Sequence, residues 1–220
     1  MAVVTISRQY GSGGTEIATQ VCEILGYTHF NKNTMVEVAS EMDISEDEVM
    51  DFSEDTYKVR GFLDRLLGRR RIVPPGRDQG AEDEDAIDLE TLDETQGVEL
   101  VKKIICGAYD RGNVVIVGRG GQSILQEKYG VLHVRIEAPL GARALRIKER
   151  QGISMEEARH IAMERDQAAA AYVRNFFDIA WDDSKYYHLV INTGKWEIPA
   201  AAQIIVNALS HMRQISELKA

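Results

Sequence analysis

The chain has 220 residues, 44% of them hydrophobic, which is enough to bury a core without disulfide or metal staples. Its two cysteines, Cys22 and Cys106, have no metal-ligand spacing and read as apolar thiols of a reducing compartment. The net charge is −9, but ten acids fall between Asp78 and Val101 with no Lys or Arg among them, so the remainder is close to neutral. That balance suits a small anionic ligand. It argues against nucleic acid, whose phosphates need a basic surface. No run approaches the ~18 apolar residues of a membrane span. With a strand opening the chain and no leader ahead of it, the expectation is a soluble, cytoplasmic protein with no membrane partner.

In chain order, short apolar strands are expected at residues 3–7, 114–117, 132–137 and 189–192, with a weaker one at 27–30. Nearly every position in them is apolar, as in parallel strands covered on both faces. Helical periodicity lies between them, at residues 15–25, 32–41, 45–67, 91–110, 140–151, 154–175 and 199–218. Ser45 and Ser154 are each followed three residues later by a glutamate, which marks two helix starts. Strands alternating with helices imply a doubly wound α/β sheet. Residues 69–88 fit no element. Arginines, then Pro74-Pro75-Gly76, then acids make this stretch a solvated, mobile loop.

The first stretch with chemistry in it is Arg8-Gln9-Tyr10-Gly11-Ser12-Gly13-Gly14-Thr15, between the first strand and the first helix. Glycines let successive N–H groups turn inward around an anion, and a helix N-terminus adds partial positive charge. Against the phosphate-loop pattern G-x-x-x-x-G-K-[ST], Gly13 and Thr15 fit, the first glycine is Arg8, and the lysine is Gly14. A dinucleotide fingerprint fits worse, because Glu16 stands where its third glycine belongs. A second stretch, Val117-Gly118-Arg119-Gly120-Gly121, follows another strand and sets Arg119 on the same sheet edge. Arginines on the later helices form a third. Arg143, Arg146 and Arg150 share one helix face, where the neighbouring acids are too few to neutralise them. The five histidines are scattered, and no nucleophile–base pairing is readable.

Together these residues resemble the cytidylate kinase-like family, a branch of the P-loop nucleoside monophosphate kinases. The resemblance also takes in Ala138-Pro139-Leu140-Gly141-Ala142-Arg143-Ala144-Leu145-Arg146 and Tyr187-His188-Leu189-Val190-Ile191-Asn192-Thr193. It implies one P-loop kinase-like domain over residues 1–220, with a helical acceptor-binding region at 31–110 and a lid at 140–175. It implies transfer of the γ-phosphate of ATP, with Mg²⁺, to CMP or dCMP. Residue by residue, Gly11, Ser12, Gly13, Gly14, Thr15 and Glu16 would wrap the ATP phosphates, and Thr15 would supply the Mg²⁺-ligating hydroxyl. Arg119 would grip the acceptor, Arg143 and Arg146 would begin the lid, and Arg165, Asp166 and Arg174 would form its returning arm.

The chain departs from the family pattern in three places. Gly14 replaces the lysine, and Gly120 replaces the aspartate of a Gly-Arg-Asp turn. Asn31-Lys32-Asn33-Thr34-Met35-Val36-Glu37 replaces an acceptor motif resembling Asp-Ser-Gly-x-x-Tyr-Arg. Arg8 and Lys32 are then the candidate cations for the role of the missing lysine. A kinase of another metabolite and a nucleotide-binding regulatory protein with weak catalysis stay open beside the CMP kinase.

Overall fold

In the computed structural model, which describes residues 2–42 and 94–217, strand β1 (Val3–Arg8) lies at the centre of a five-stranded parallel sheet. The helix expected over 45–67 and the loop over 69–88 lie outside the described residues. The order is β2-β3-β1-β4-β5, with β2 at Thr28–Phe30, β3 at Val114–Val117, β4 at Val131–Glu137 and β5 at Leu189–Asn192. After β1 the chain places β2 at one edge, returns to set β3 between β2 and β1, and then crosses to the other side of β1 for β4. Ligands of such sheets bind beyond the carboxyl ends of the strands, where this reversal opens a crevice. This is the doubly wound α/β sheet that the sequence leads one to expect.

The helices are α1 (Gly14–Leu25), α2 (Lys32–Glu41), α3 (Glu94–Arg111), α4 (Gly121–Ile124), α5 (Leu140–Gln151), α6 (Met155–Phe177) and α7 (Ile198–Glu217). On one face of the sheet, Ile17, Val21, Ala201 and Ile205 of α1 and α7 pack against Val4, Ile6, Val115, Leu132 and Ile136. On the other, Met35, Val38, Ile104 and Ile105 of α2 and α3 cover Val3, Val114, Ile116 and Val131. β3 is buried along its whole length because both sides are covered there. Helices α5 and α6 form a separate hairpin that meets the sheet edge through its own small core, Ala144, Ile147, Ala158 and Ala162. At its turn Ser154 caps α6, accepting a hydrogen bond from the Glu157 amide at 3.1 Å, as the capping-box pattern predicts. None of the described helices is long and apolar enough to cross a membrane.

One face of β1 and β4 carries buried polar groups in place of the expected run of apolar residues. His133 Nδ1 lies 2.7 Å from Thr5 Oγ1, and the His133 ring stacks on His188 at 5.0 Å between centroids. Farther along, the Arg135 guanidinium donates to the Trp181 carbonyl (2.8 Å) and lies 4.5 Å from the Trp181 ring centroid. The Tyr187 hydroxyl donates to the same carbonyl at 2.7 Å. These bonds fasten the segment after α6 under the open edge of the sheet.

Burial, then the neighbouring His188, lowers the pKa of His133 from 6.5 to about 4. The unfolded chain therefore takes up this proton first. His133 contributes stability that is complete above about pH 6.5 and is lost as pH falls from there toward 4, a loss on the order of 3 kcal/mol. Chemical denaturation across that range is expected to show this slope, and His133→Gln is expected to flatten it by about one proton.

Candidate active site

The loop between β1 and α1 is held from behind by three consecutive carbonyls. Arg143 donates to the Tyr10 carbonyl (3.1 Å), Arg146 to that of Gly11 (3.4 Å), and Thr193 Oγ1 to that of Ser12 (2.6 Å). Gly11 (φ 79°) and Gly13 (φ 84°) take left-handed conformations that a side chain would strain. The Ser12 amide donates to the Gln9 carbonyl (3.1 Å), and Gly11, Gly13 and Gly14 line the cavity. Gly13 is the N-cap of α1 and no side chain caps that helix start, so its first amides and its positive dipole end lie at the same place.

Asp166 of α6 joins the loop to the helical hairpin. One carboxylate oxygen accepts from the Tyr10 amide (2.8 Å), the other from Arg143 (2.8 Å). Arg143 is only 5% exposed, and its remaining bond goes to the Ala138 carbonyl at 2.9 Å. The helix-face argument left Arg143 without a neutralising acid, but that acid comes from the next helix. The resemblance gave Arg143 a place at the start of the lid, and its guanidinium is enclosed among protein acceptors. Arg146 is tied to Thr193 by bonds of 3.0 and 2.8 Å, and it also lines the cavity. The guanidinium groups of Arg150 and Arg165 lie 5.6 and 5.7 Å from the centroid of the Tyr10 ring.

The loop forms one wall of a cavity of about 710 Å³, a size suited to small-molecule ligands. Arg8, Gly11, Gly13, Gly14, Thr15 and Glu16 line that wall, and Arg119, Arg146, Arg165 and Asp166 line others. Arg119 has φ 55°, between Gly118 at 73° and Gly120 at 70°. Three successive left-handed residues, one of them not glycine, make an unusual turn of the kind that clusters at functional sites. The turn points Arg119 back along the sheet edge, where it donates to the Phe30 carbonyl (3.2 Å) and lies 5.4 Å from the Phe30 ring. Burial, then the Arg119 charge, lowers the pKa of His29 beside it.

Of the remaining expected site residues, Ser12 is fully buried behind the loop. Lys32 opens α2, one residue after its cap, Asn31. Arg174 is exposed in the last turn of α6 and is not among the residues lining the cavity. Sequence reasoning missed the apolar far wall, made by Val98 and Val101 of α3, Tyr172 and Val173 of α6, and Trp181. It also missed Phe177. A Cβ on Gly120 would stand 2.4 Å from the Phe177 ring, so this aromatic occupies the room that the family's aspartate would need. Nothing in the spacing of these residues pairs them. Thr193 did have a signal, as the end of a quoted motif.

Because Arg143 joins one carboxylate and two carbonyls, Arg143→Met leaves Asp166 half-buried beside orphaned acceptors. A loss of about 3–5 kcal/mol in urea denaturation is expected, the scale of a broken buried pair.

The model of the cytidylate kinase-like family matches this chain over residues 3–195. A protein named cytidylate kinase from Pyrococcus horikoshii is 27% identical, over 98% of this chain and 92% of its own length. Another from Thermococcus sibiricus is 29% identical, over 96% of this chain and 89% of its own. The crystal structure of an uncharacterized protein from Eubacterium ventriosum shares the fold. Its TM-score is 0.63 at 19% identity, and the match covers 96% of this chain and 99% of that one. From its loop, its turn and the extent of the match, the chain belongs to the cytidylate kinase-like family.

Proposed function

We propose that the protein transfers the γ-phosphoryl group of Mg·ATP to a nucleoside monophosphate, CMP or dCMP. The observation that carries this reading is the loop whose three carbonyls are tied back, with Gly11, Gly13 and the α1 N-terminus on the cavity that Arg119 also lines. Phosphoryl transfer needs little covalent help from a protein. It needs in-line positioning and positive charge over the phosphates.

In this reading the backbone of Gly11, Ser12, Gly13, Gly14, Thr15 and Glu16 receives the ATP phosphates. Thr15 is exposed and lines the cavity, so its hydroxyl suits a cation that takes most of its ligands from phosphate and water. A Mg²⁺ held there would supply charge neutralisation for the phosphates. Arg119 grips the acceptor phosphate. The hairpin of residues 140–175 acts as the lid, with Arg146 and Arg165 facing the ligand, while Arg143 and Asp166 position the loop and touch no substrate. Cytidylate kinases from Pyrococcus horikoshii and Thermococcus sibiricus, similar to this chain over nearly its whole length, support the acceptor class.

A second reading, a kinase of another metabolite, is favoured by the packing of Phe177 over Gly120 and by the apolar wall around it. An ATP-consumption screen against a panel of nucleoside monophosphates separates the two. Turnover is expected to be fastest with CMP or dCMP, and turnover with none of the panel would favour the second reading. Arg119→Ala removes a charged fork, at a cost of about 1.5–3 kcal/mol. The acceptor KM is therefore expected to rise roughly 10- to 100-fold with ATP binding nearly intact. A loss confined to ATP affinity would reverse the assignment.

A further inference from the structure

The two ends of the phosphate loop depart from the usual pattern in opposite senses. G-x-x-x-x-G-K-[ST] has its smallest residue first and its cation seventh, and this chain has Arg8 first and Gly14 seventh. The two positions touch. A Cβ on residue 14 would stand 2.5 Å from Arg8 Cβ and 2.9 Å from Arg8 Cγ. Rotating the Arg8 side chain does not relieve the first contact, because Cβ is fixed by the backbone. That backbone belongs to the central strand, where Arg8 is in register with Ile136 of β4. Room exists for one side-chain stem, at position 8 or at position 14. Arg8 is only partly buried and lines the same cavity as Gly13, Gly14 and Thr15.

We propose that the phosphate-loop cation has been transferred from position 14 to position 8. Arg8 is the catalytic residue that meets the β- and γ-phosphate oxygens of ATP, and residue 14 is glycine because Arg8 occupies the space. The proposal rests on the kinase reading above. In the reaction, an oxygen of the acceptor's phosphate bonds to the γ-phosphorus while the bond from that phosphorus to the β-phosphate oxygen breaks. ADP leaves with the electron pair. Arg8 forms no covalent bond in this step and donates N–H hydrogen bonds to the oxygens where charge gathers.

The exchange is reversible by mutation, since Arg8→Gly with Gly14→Lys restores the complete pattern. Melting temperature, Mg·ATP affinity and turnover would be measured for Arg8→Ala, Arg8→Gly, Gly14→Lys, Arg8→Gly/Gly14→Lys and Arg8→Ala/Gly14→Lys. Arg8→Ala keeps the Cβ and removes the charge, so it is expected to fold normally and to lose at least about 10²-fold in turnover. Gly14→Lys alone is expected to melt lower. The Arg8→Gly double variant is expected to melt near Arg8→Gly and to regain at least about 10-fold of the turnover lost. The Arg8→Ala double variant, which keeps the colliding Cβ, is expected to regain nothing.

Three results would each overturn the proposal: near-normal turnover in Arg8→Ala, an unaffected Gly14→Lys, or an Arg8→Gly double variant no better than Arg8→Gly. Failure of the kinase reading looks different, because the wild-type chain then binds Mg·ATP and finds no acceptor in the panel. In that case binding decides for Arg8. Arg8→Ala weakening ATP at least about 10-fold while leaving AMP unchanged supports the assignment, and equal ATP affinity refutes it.

Discussion

Every functional group on the loop between β1 and α1 depends on the direction in which its peptide units face. Arg143, Arg146 and Thr193 take the carbonyls of Tyr10, Gly11 and Ser12 from the protein side, and Asp166 takes the Tyr10 amide. These donors come from α5 and from the end of β5, elements that arrive more than 130 residues after the loop in sequence. The anion site is therefore a property of the assembled sheet and hairpin. An isolated glycine-rich turn has no such restraint, and its amides point in many directions. The nearly complete burial of Arg143 fits this structural duty. A guanidinium with five donors suits a position where a carboxylate and two carbonyls converge.

A second constraint explains two departures from the family pattern at once. At Gly14 a Cβ would meet the stem of Arg8, and at Gly120 it would meet the ring of Phe177. Each glycine is the counterpart of a large neighbouring side chain, Arg8 in the cavity wall and Phe177 packed with Val173 and Trp181. Seen singly, the losses of a lysine and of an aspartate look like decay of a catalytic site. Seen as pairs, they are exchanges of volume between neighbours. One of them sets Arg8 beside the loop, and the other sets an aromatic ring near Arg119.

The strands and the longer helices of the described residues were legible from sequence to within a few residues, and the short helix Gly121–Ile124 was not. Parallel strands covered on both faces need apolar residues throughout, and Ser154 marks the turn of the hairpin. The polar layer of Thr5, His133 and Arg135 was not legible, because its bonds join β1, β4 and the segment around Trp181 across the sheet. The glycine loop, the Arg119 turn and the shared face of Arg143 and Arg146 were readable as chemistry. Periodicity can place residues on one helix face, but it cannot tell which acids the fold brings to that face. Asp166 therefore separated two neighbouring arginines into an enclosed one and a cavity-facing one. Trp181 and Tyr172 carry no motif, and only their packing reveals them as part of the site.

The central claim is that the loop receives a triphosphate through its amides with Arg8 over the terminal phosphates. A crystal structure with Mg²⁺ and a non-hydrolysable ATP analogue tests it most directly. The account predicts β- and γ-phosphate oxygens within hydrogen-bond distance of amides of residues 11–15 and of the Arg8 guanidinium, with Tyr10, Gly11 and Ser12 carbonyls still tied to Arg143, Arg146 and Thr193. A triphosphate seated elsewhere in the cavity, or an Arg8 turned away from it, would contradict the account.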